Sequence, residues 1–286
     1  MQPSHCTPLA YKKAIASKKR TCVPDGILKQ LALALSLPLG DFVEDLIERI
    51  HLALKTEKES EWPDHPEVRK ANPELASFLM TLFRPKQPLL WRKNPNAWLS
   101  NYDILAVMHQ YHESTPGFRF VGVFPSDFQT RSREGTCVSS AMCDLTVRKM
   151  INVDGIRKLG FVFNLDKHTG RGSHWTSMFI GLDPSIPDRF GAYYFDSIGR
   201  APMAQVASFQ RRIHAEVASE LGEDVGKRFV VCHNRHRKQY GNTECGIYSM
   251  FFIVACISTR NPVEQICREM IKDDSRMQHL RSIYFR

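Results

Sequence analysis

Gln239-Tyr240-Gly241-Asn242-Thr243-Glu244-Cys245-Gly246 runs directly into an apolar stretch, Ile247 to Ile257, long enough for a buried helix. This sets a thiol at a helix N-terminus, with a carboxamide six residues upstream. The partial positive charge of such a terminus favours the thiolate, the form of cysteine that attacks carbon. A carboxamide nearby can donate to the oxyanion that such an attack creates.

A cysteine nucleophile needs a base, and the base needs an orienting acceptor. Gly172-Ser173-His174-Trp175 opens a strand-like segment, Trp175 to Leu182, and Ala192-Tyr193-Tyr194-Phe195-Asp196-Ser197 is a second short apolar run that ends in a carboxylate. His174 and Asp196 thus sit at the ends of two neighbouring predicted strands, and Cys245 begins the helix expected to pack on them. Strand ends and helix starts are places where side chains converge without disturbing a core. The order His174, Asp196, Gln239, Cys245 carries more information than any one of the four.

These residues resemble the signature of the cysteine proteases that process ubiquitin-like proteins and adenoviral precursors: His-Trp, then Asp or Asn, then Gln-x5-Cys-Gly. Within that clan the pattern is most like the polyprotein-processing proteases of African swine fever virus and other large DNA viruses. Supporting stretches are Gly172 to Ile180, Tyr194 to Pro202, and Asn234-Arg235-His236-Arg237 through to Tyr248-Ser249. Trp98-Leu99-Ser100-Asn101-Tyr102-Asp103-Ile104 is similar to the Trp-Leu-Asn-Asp segment that opens the catalytic domain of the ubiquitin-like proteases. The likeness covers residues 98–286 well and the first 80 or so loosely. The swine fever branch carries Asn where this chain has Asp196, and a carboxylate adds charge stabilisation of the imidazolium.

The resemblance implies an α+β, papain-like or adenoviral-protease-like domain, in which a mixed, mainly antiparallel sheet packs on a central cysteine-bearing helix. It also implies a His174–Asp196–Cys245 triad, Gln239 as oxyanion donor, and Trp175 walling a narrow substrate tunnel that admits glycine best. No cofactor is implied. The expected activity is endoproteolysis of viral structural polyprotein precursors, after Gly-Gly or small-residue motifs, during virion maturation. Its setting would be assembly sites in the host cytoplasm and the virion. An isopeptidase that removes ubiquitin-like modifiers shares the same site. So do acyltransferases with a His–acid–Cys triad, and a binding module could keep the fold without activity, although intact His174 and Cys245 argue against that.

Each residue also has an ordinary reading. A cysteine in an apolar helix is usually core, and Cys256, Cys267 and Cys232 are read that way; Cys245 differs in beginning its helix beside polar residues. His168 competes with His174, but Asp166-Lys167-His168-Thr169-Gly170-Arg171-Gly172 reads as a turn. Asp183 and Asp188 compete with Asp196. Cys137-x5-Cys143 and the group Cys232, His233, His236 lack the paired short spacing of a structural zinc site, so no metal is expected.

At 286 residues, with 43% hydrophobic and 10% aromatic content, the chain suits one large or two unequal domains with a filled core. It contains no apolar run of the roughly 20 residues that a membrane helix needs, so no membrane insertion is expected. Eight cysteines without framework spacing point to a reducing compartment. The net charge of +9 is spread over clusters at Lys12 to Arg20, Arg84 to Lys93 and Arg235 to Lys238. A solvated basic surface explains the first two; weak contact with DNA through that surface is a lesser expectation.

Along the chain, residues 1–83 read as a small helical arm, 84–97, with three prolines, as a linker, and 98–286 as the catalytic domain. Helices are predicted over Gly26 to Leu37 and Asp41 to Leu54, the second capped by Asp41 with Glu44, and from Asn72-Pro73 to Leu82. Residues 55–72 read as a charged loop. Further helices are expected over Asn101 to His112, Met203 to Leu221 and Asp274 to Tyr284, with another begun by Asn261-Pro262. Strands are expected at Lys158 to Leu165, Trp175 to Leu182, Ala192 to Asp196 and Arg228 to Cys232, and a strand or extended loop at Phe118 to Phe124.

Overall fold

The structure, a computed structural model, describes residues 5–40, 42–271 and 273–286. By internal contacts the chain forms two units, Met1–Gln87 with Ser282–Arg286, and Pro88–Arg281. This differs from the expected division in two places. Residues 88–97 belong to the second unit rather than to a linker, and the last five residues belong to the first.

The first unit is helical: α1 (Pro8–Ala16), α2 (Asp25–Ala34), α3 (Val43–Leu54), α4 (Pro66–Ala71) and α5 (Pro73–Met80). Asn72 caps α5 as its sequence predicts, its Oδ1 accepting from Leu75 N–H at 2.9 Å with Pro73 at the first helical position. The α3 cap assigned to Asp41 lies outside the described residues. The predicted loop at 55–72 is instead a 3-10 segment, Glu59–Asp64, followed by α4. Its anchor is Trp62, which is fully buried among Leu31, Ile50, Leu54 and Leu79 in the unit's core. One aromatic ring outweighs the charged residues around it. Arg286 completes this unit: its main chain pairs with Pro85 and Gln87, and its guanidinium donates to the carbonyls of Arg84 and Ser60 and to Asp64.

In the second unit, α6 (Asn101–Ser114) is opened by a capping box between Ser100 and Asp103. It leads into a five-stranded mixed sheet in the order β1 (Phe118–Phe124), β2 (Lys158–Asn164), β3 (Trp175–Gly181), β4 (Gly191–Phe195) and β5 (Val230–His233). The central pairs β2–β3 and β3–β4 are antiparallel, joined by short turns, whereas the outer pairs β1–β2 and β4–β5 are parallel. Parallel neighbours require long crossovers. The first passes through the one-turn helix α7 (Ser140–Cys143), the second through α8 (Ala204–Leu221) and α9 (Glu223–Gly226). Beyond β5 come α10 (Cys245–Ser258), the short α11 (Val263–Gln265) and α12 (Asp274–Tyr284).

Every residue of β3 and β4 is buried, because helices cover both faces of the sheet. Phe161, Met178, Ile180 and Tyr194 join Val206, Phe209, Ile213 and Val217 of α8 in one core. On the opposite face α10 packs on β3, with Phe195 and Phe252 stacked at 5.0 Å. Gly160 of β2 makes that approach possible, since an added Cβ would lie 2.9 Å from Ile253. Cys256 is core as expected, but Cys232 is exposed on β5 at the sheet edge.

Four of the eight cysteines pair, which the reading of their spacing as that of a reducing compartment did not anticipate. Cys6–Cys22 and Cys137–Cys143 are disulfides, with Cα atoms 5.5 and 6.6 Å apart. The fold creates that proximity, and spacing alone does not reveal it. Among the described residues no helix is long and apolar enough to cross a membrane.

Candidate active site

The polar run 239–244 cannot extend the apolar helix backwards, so α10 starts at Cys245, the first helical residue. Two strands feed side chains to that point. β3 begins at Trp175 and leaves His174 just before it, while β4 ends at Phe195 and leaves Asp196 just after it. Because the two strands are antiparallel, the start of one lies beside the end of the other.

His174 Nε2 lies 2.7 Å from Asp196 Oδ1, and the Cys245 sulfur is near enough to stabilise the charged imidazole as well. Burial works against charge on His174, but Asp196 and Cys245 outweigh it and raise the imidazole to about 9. Asp196 is 1% exposed; its Oδ1 also accepts from Ile198 N–H, and its Oδ2 is buried with no hydrogen-bond partner among the described residues.

Gln239 is held against Ser197, the residue after Asp196. It is 3% exposed; its Oε1 accepts from Ser197 Oγ at 2.6 Å and its Nε2 donates to Gly241 O at 3.1 Å. One of the two amide hydrogens is thereby used. Ser197 decides which way the amide points, a role that its place in the sequence does not suggest. Asn234 is likewise unforeseen. Its amide brackets the main chain of Asp196, accepting from Asp196 N–H and donating to Asp196 O, both at 2.8 Å.

Trp175 is nearly buried, with its indole N–H donating to Leu99 O at 3.0 Å. The segment at Trp98-Leu99 is therefore bound directly to the residue after His174. Gly246, next to the sulfur, permits this closeness: an added Cβ would sit 3.1 Å from Leu99 and 3.3 Å from Trp175. Cys245 itself is 2% exposed, so its sulfur is recessed rather than displayed. A cleft of about 510 Å³ has Trp98, Leu99, Gly172 and Trp175 in its wall; it reaches the site only through Trp175, and His174, Asp196, Gln239 and Cys245 do not line it.

The competing residues are occupied elsewhere. His168 pairs with Asp127 at 2.7 Å in the wall of the cleft, a second His–Asp pair whose imidazole is half-exposed. Asp183 accepts from Ser185 in a turn. Of the basic residues before the nucleophile, Arg237 donates to Gln239 O and lies over the Tyr240 ring, and Lys238 donates to Arg268 O. Among the described residues, no group of three or more His, Cys, Asp or Glu could hold a metal ion.

No family model matches the chain. Over 212 residues, 73% of its length, it is 27% identical to a "Putative thiol protease" of Acanthamoeba polyphaga mimivirus. Over 127 residues, 44% of its length, it is 31% identical to a "SUMO-1 cysteine protease" of African swine fever virus. These matches span 62% and 43% of the two relatives, less than two thirds of either. The crystal structure of the African swine fever virus protease aligns over 100% of this chain and 96% of its own, with a TM-score of 0.74 at 20% identity. Homologues of this chain are viral cysteine proteases, and its fold is that of the African swine fever virus protease.

Proposed function

We propose that this protein is a cysteine endopeptidase acting through a His174–Asp196–Cys245 triad. The observation that carries the reading is the imidazole held between Asp196, at 2.7 Å, and the sulfur that begins α10. His174 takes the Cys245 proton, and the thiolate adds to the scissile carbonyl carbon. The oxyanion formed is bound by the second Nε2 hydrogen of Gln239 and the main-chain N–H of Cys245. As the tetrahedral species collapses, the C–N bond breaks and His174 protonates the departing amine. Water, deprotonated by His174, then hydrolyses the thioester to a carboxylate and regenerates the thiol.

Trp98 and Trp175 in one cleft wall favour small residues before the scissile bond, in keeping with cleavage after Gly-Gly or similar motifs. The substrate class that fits the swine fever and mimivirus relatives is a viral structural precursor, cut during virion maturation. Co-expression with candidate structural proteins, followed by mass-spectrometric mapping of new termini, tests this. Cleavage after bulky residues, or cleavage that persists in Cys245→Ala, overturns it. Removal of a ubiquitin-like modifier is the second reading, favoured by the name of the 31% identical relative. Rapid labelling of Cys245 by a ubiquitin-like vinyl sulfone would support it over the first.

A further inference from the structure

Gln239 and the N-terminus of α10 are joined by residues 240–244, a stretch with no helix or strand of its own. For Gln239 and the Cys245 N–H to face one oxyanion, something outside this stretch must fix it. The last helix does so. Asp274 Oδ2 accepts from two successive main-chain donors, Tyr240 N–H at 2.9 Å and Gly241 N–H at 2.7 Å. Asp274 Oδ1 lies 3.0 Å from the hydroxyl of Tyr248, a buried residue on the first turn of α10. Burial and the adjacent Asp274 push the Tyr248 phenol upward, so it remains a donor.

One turn further along α12, Gln278 donates to the buried carboxylate of Glu244, which also holds Thr243. Arg281 donates to Thr243 O at 2.8 Å and to Ala97 O at 2.9 Å, with its guanidinium 4.5 Å from the Trp91 ring centre. Asp274, Gln278 and Arg281 stand at i, i+4 and i+7, one face of a helix. Three rungs of one rigid element therefore hold the loop at Tyr240-Gly241, at Thr243 and at Glu244.

We propose that Asp274 is a positioning residue for hydrolysis, and that α12 is the frame keeping Gln239 and the Cys245 N–H aimed at a common oxyanion. The inference rests on the peptidase reading and assigns to it a part of the machinery remote from the triad. A carboxylate that accepts two adjacent N–H groups fixes the direction of the main chain between them. A neutral amide reproduces this only weakly, because charge-assisted hydrogen bonds are about twice as strong as neutral ones.

The test compares two reactions of the same sulfur. Alkylation of Cys245 by iodoacetamide displaces iodide at a saturated carbon and forms no oxyanion. A peptide aldehyde ending in glycine forms a hemithioacetal: the S–C bond forms, the C=O π bond opens onto oxygen, and that oxygen needs the loop's donors. Asp274→Ala is expected to lower kcat by ten- to a hundredfold with KM little changed, short of the 10²–10³-fold loss when an oxyanion donor is removed outright. Aldehyde affinity should fall in parallel, while the alkylation rate at Cys245, followed by peptide mass spectrometry, stays within about twofold of wild type. Asp274→Asn should fall between the two and serves if the alanine variant fails to fold. Parallel loss of alkylation, or unchanged kcat and aldehyde affinity in a folded variant, overturns the positioning role. Wild-type protein that alkylates at Cys245 but neither hydrolyses peptides nor binds the aldehyde overturns the peptidase reading itself, and the role with it.

Discussion

On the proposed triad, removing the Cys245 sulfur or the His174 ring should abolish turnover to a comparable degree, because the two would act as one unit. Losses on the order of 10⁴-fold or more are expected for Cys245→Ala and His174→Ala on a fluorogenic peptide, with Asp196→Asn milder. Gln239→Ala should cost about 3 kcal/mol of transition-state stabilisation. Ser197→Ala removes only the bond that turns the Gln239 amide, worth about 1 kcal/mol, so a roughly fivefold fall in kcat is expected. The pH profile follows from His174, whose imidazole is raised to about 9. The alkaline limb of kcat/KM should therefore fall near pH 9, as the acid that protonates the leaving amine is lost. The same shift has a stability consequence with a fixed sign. The ion-pair contribution is complete below the unfolded value of about 6.5 and disappears as pH rises through about 9. Denaturation midpoints measured between pH 6 and 10 check it, with His174→Ala flattening the slope. The sequence singles out His174, Asp196, Gln239 and Cys245 as candidates because an imidazole, a carboxylate, a carboxamide and a thiol declare their chemistry at recognisable spacing. Ser197, Asn234 and Asp274 were silent because a hydroxyl, an amide and a carboxylate on a surface-like stretch have many ordinary uses, and only the fold shows which backbone group each meets.

Among the elements, α10 was the most legible. Its run of apolar residues exceeds what a surface helix would carry, and the sheet and α6 take up its faces. The strands were also visible, with the directions of the outer pairs set by long crossovers rather than by local pattern. The stretch 55–72 misled because most of its charges stay outside while Ser60, Trp62, Pro63 and Val68 turn inward. Caps were readable where side chain and position coincide. Asn72→Ala should therefore destabilise the first unit by about 1 kcal/mol in denaturant titration, through loss of the bond to Leu75 N–H. Gly246→Val should act differently. Its added carbons would meet Leu99 and Trp175, shifting the wall of the cleft, so KM for a peptide should rise along with a fall in kcat.

Over the whole molecule, the two disulfides set a conflict between fold and chemistry. Catalysis through Cys245 calls for a reduced thiol, whereas the Cys6–Cys22 bond closes a loop over a separation of 16 residues and is worth about 3 kcal/mol by loop entropy. Dithiothreitol should thus lower the melting temperature of the first unit while preserving hydrolysis at ambient temperature; an unchanged melt would remove that bond from the ledger of stability. Asp64 supplies a second stabilising centre in the same unit. Burial raises its carboxyl, but Lys86 and Arg286 overcome this and hold it below the ordinary range. Its contribution is therefore complete above about pH 4 and is lost as pH falls through the lowered value. Arg286→Ala should weaken that acid limb and strand the carbonyls of Ser60 and Arg84. Since Arg286 closes a unit whose N-terminal segment ends some two hundred residues before it, that segment waits for distant sequence before its packing is complete. A purified chain cut back to Arg281 should leave residues 5–87 more open to limited proteolysis than one that keeps residues 282–286.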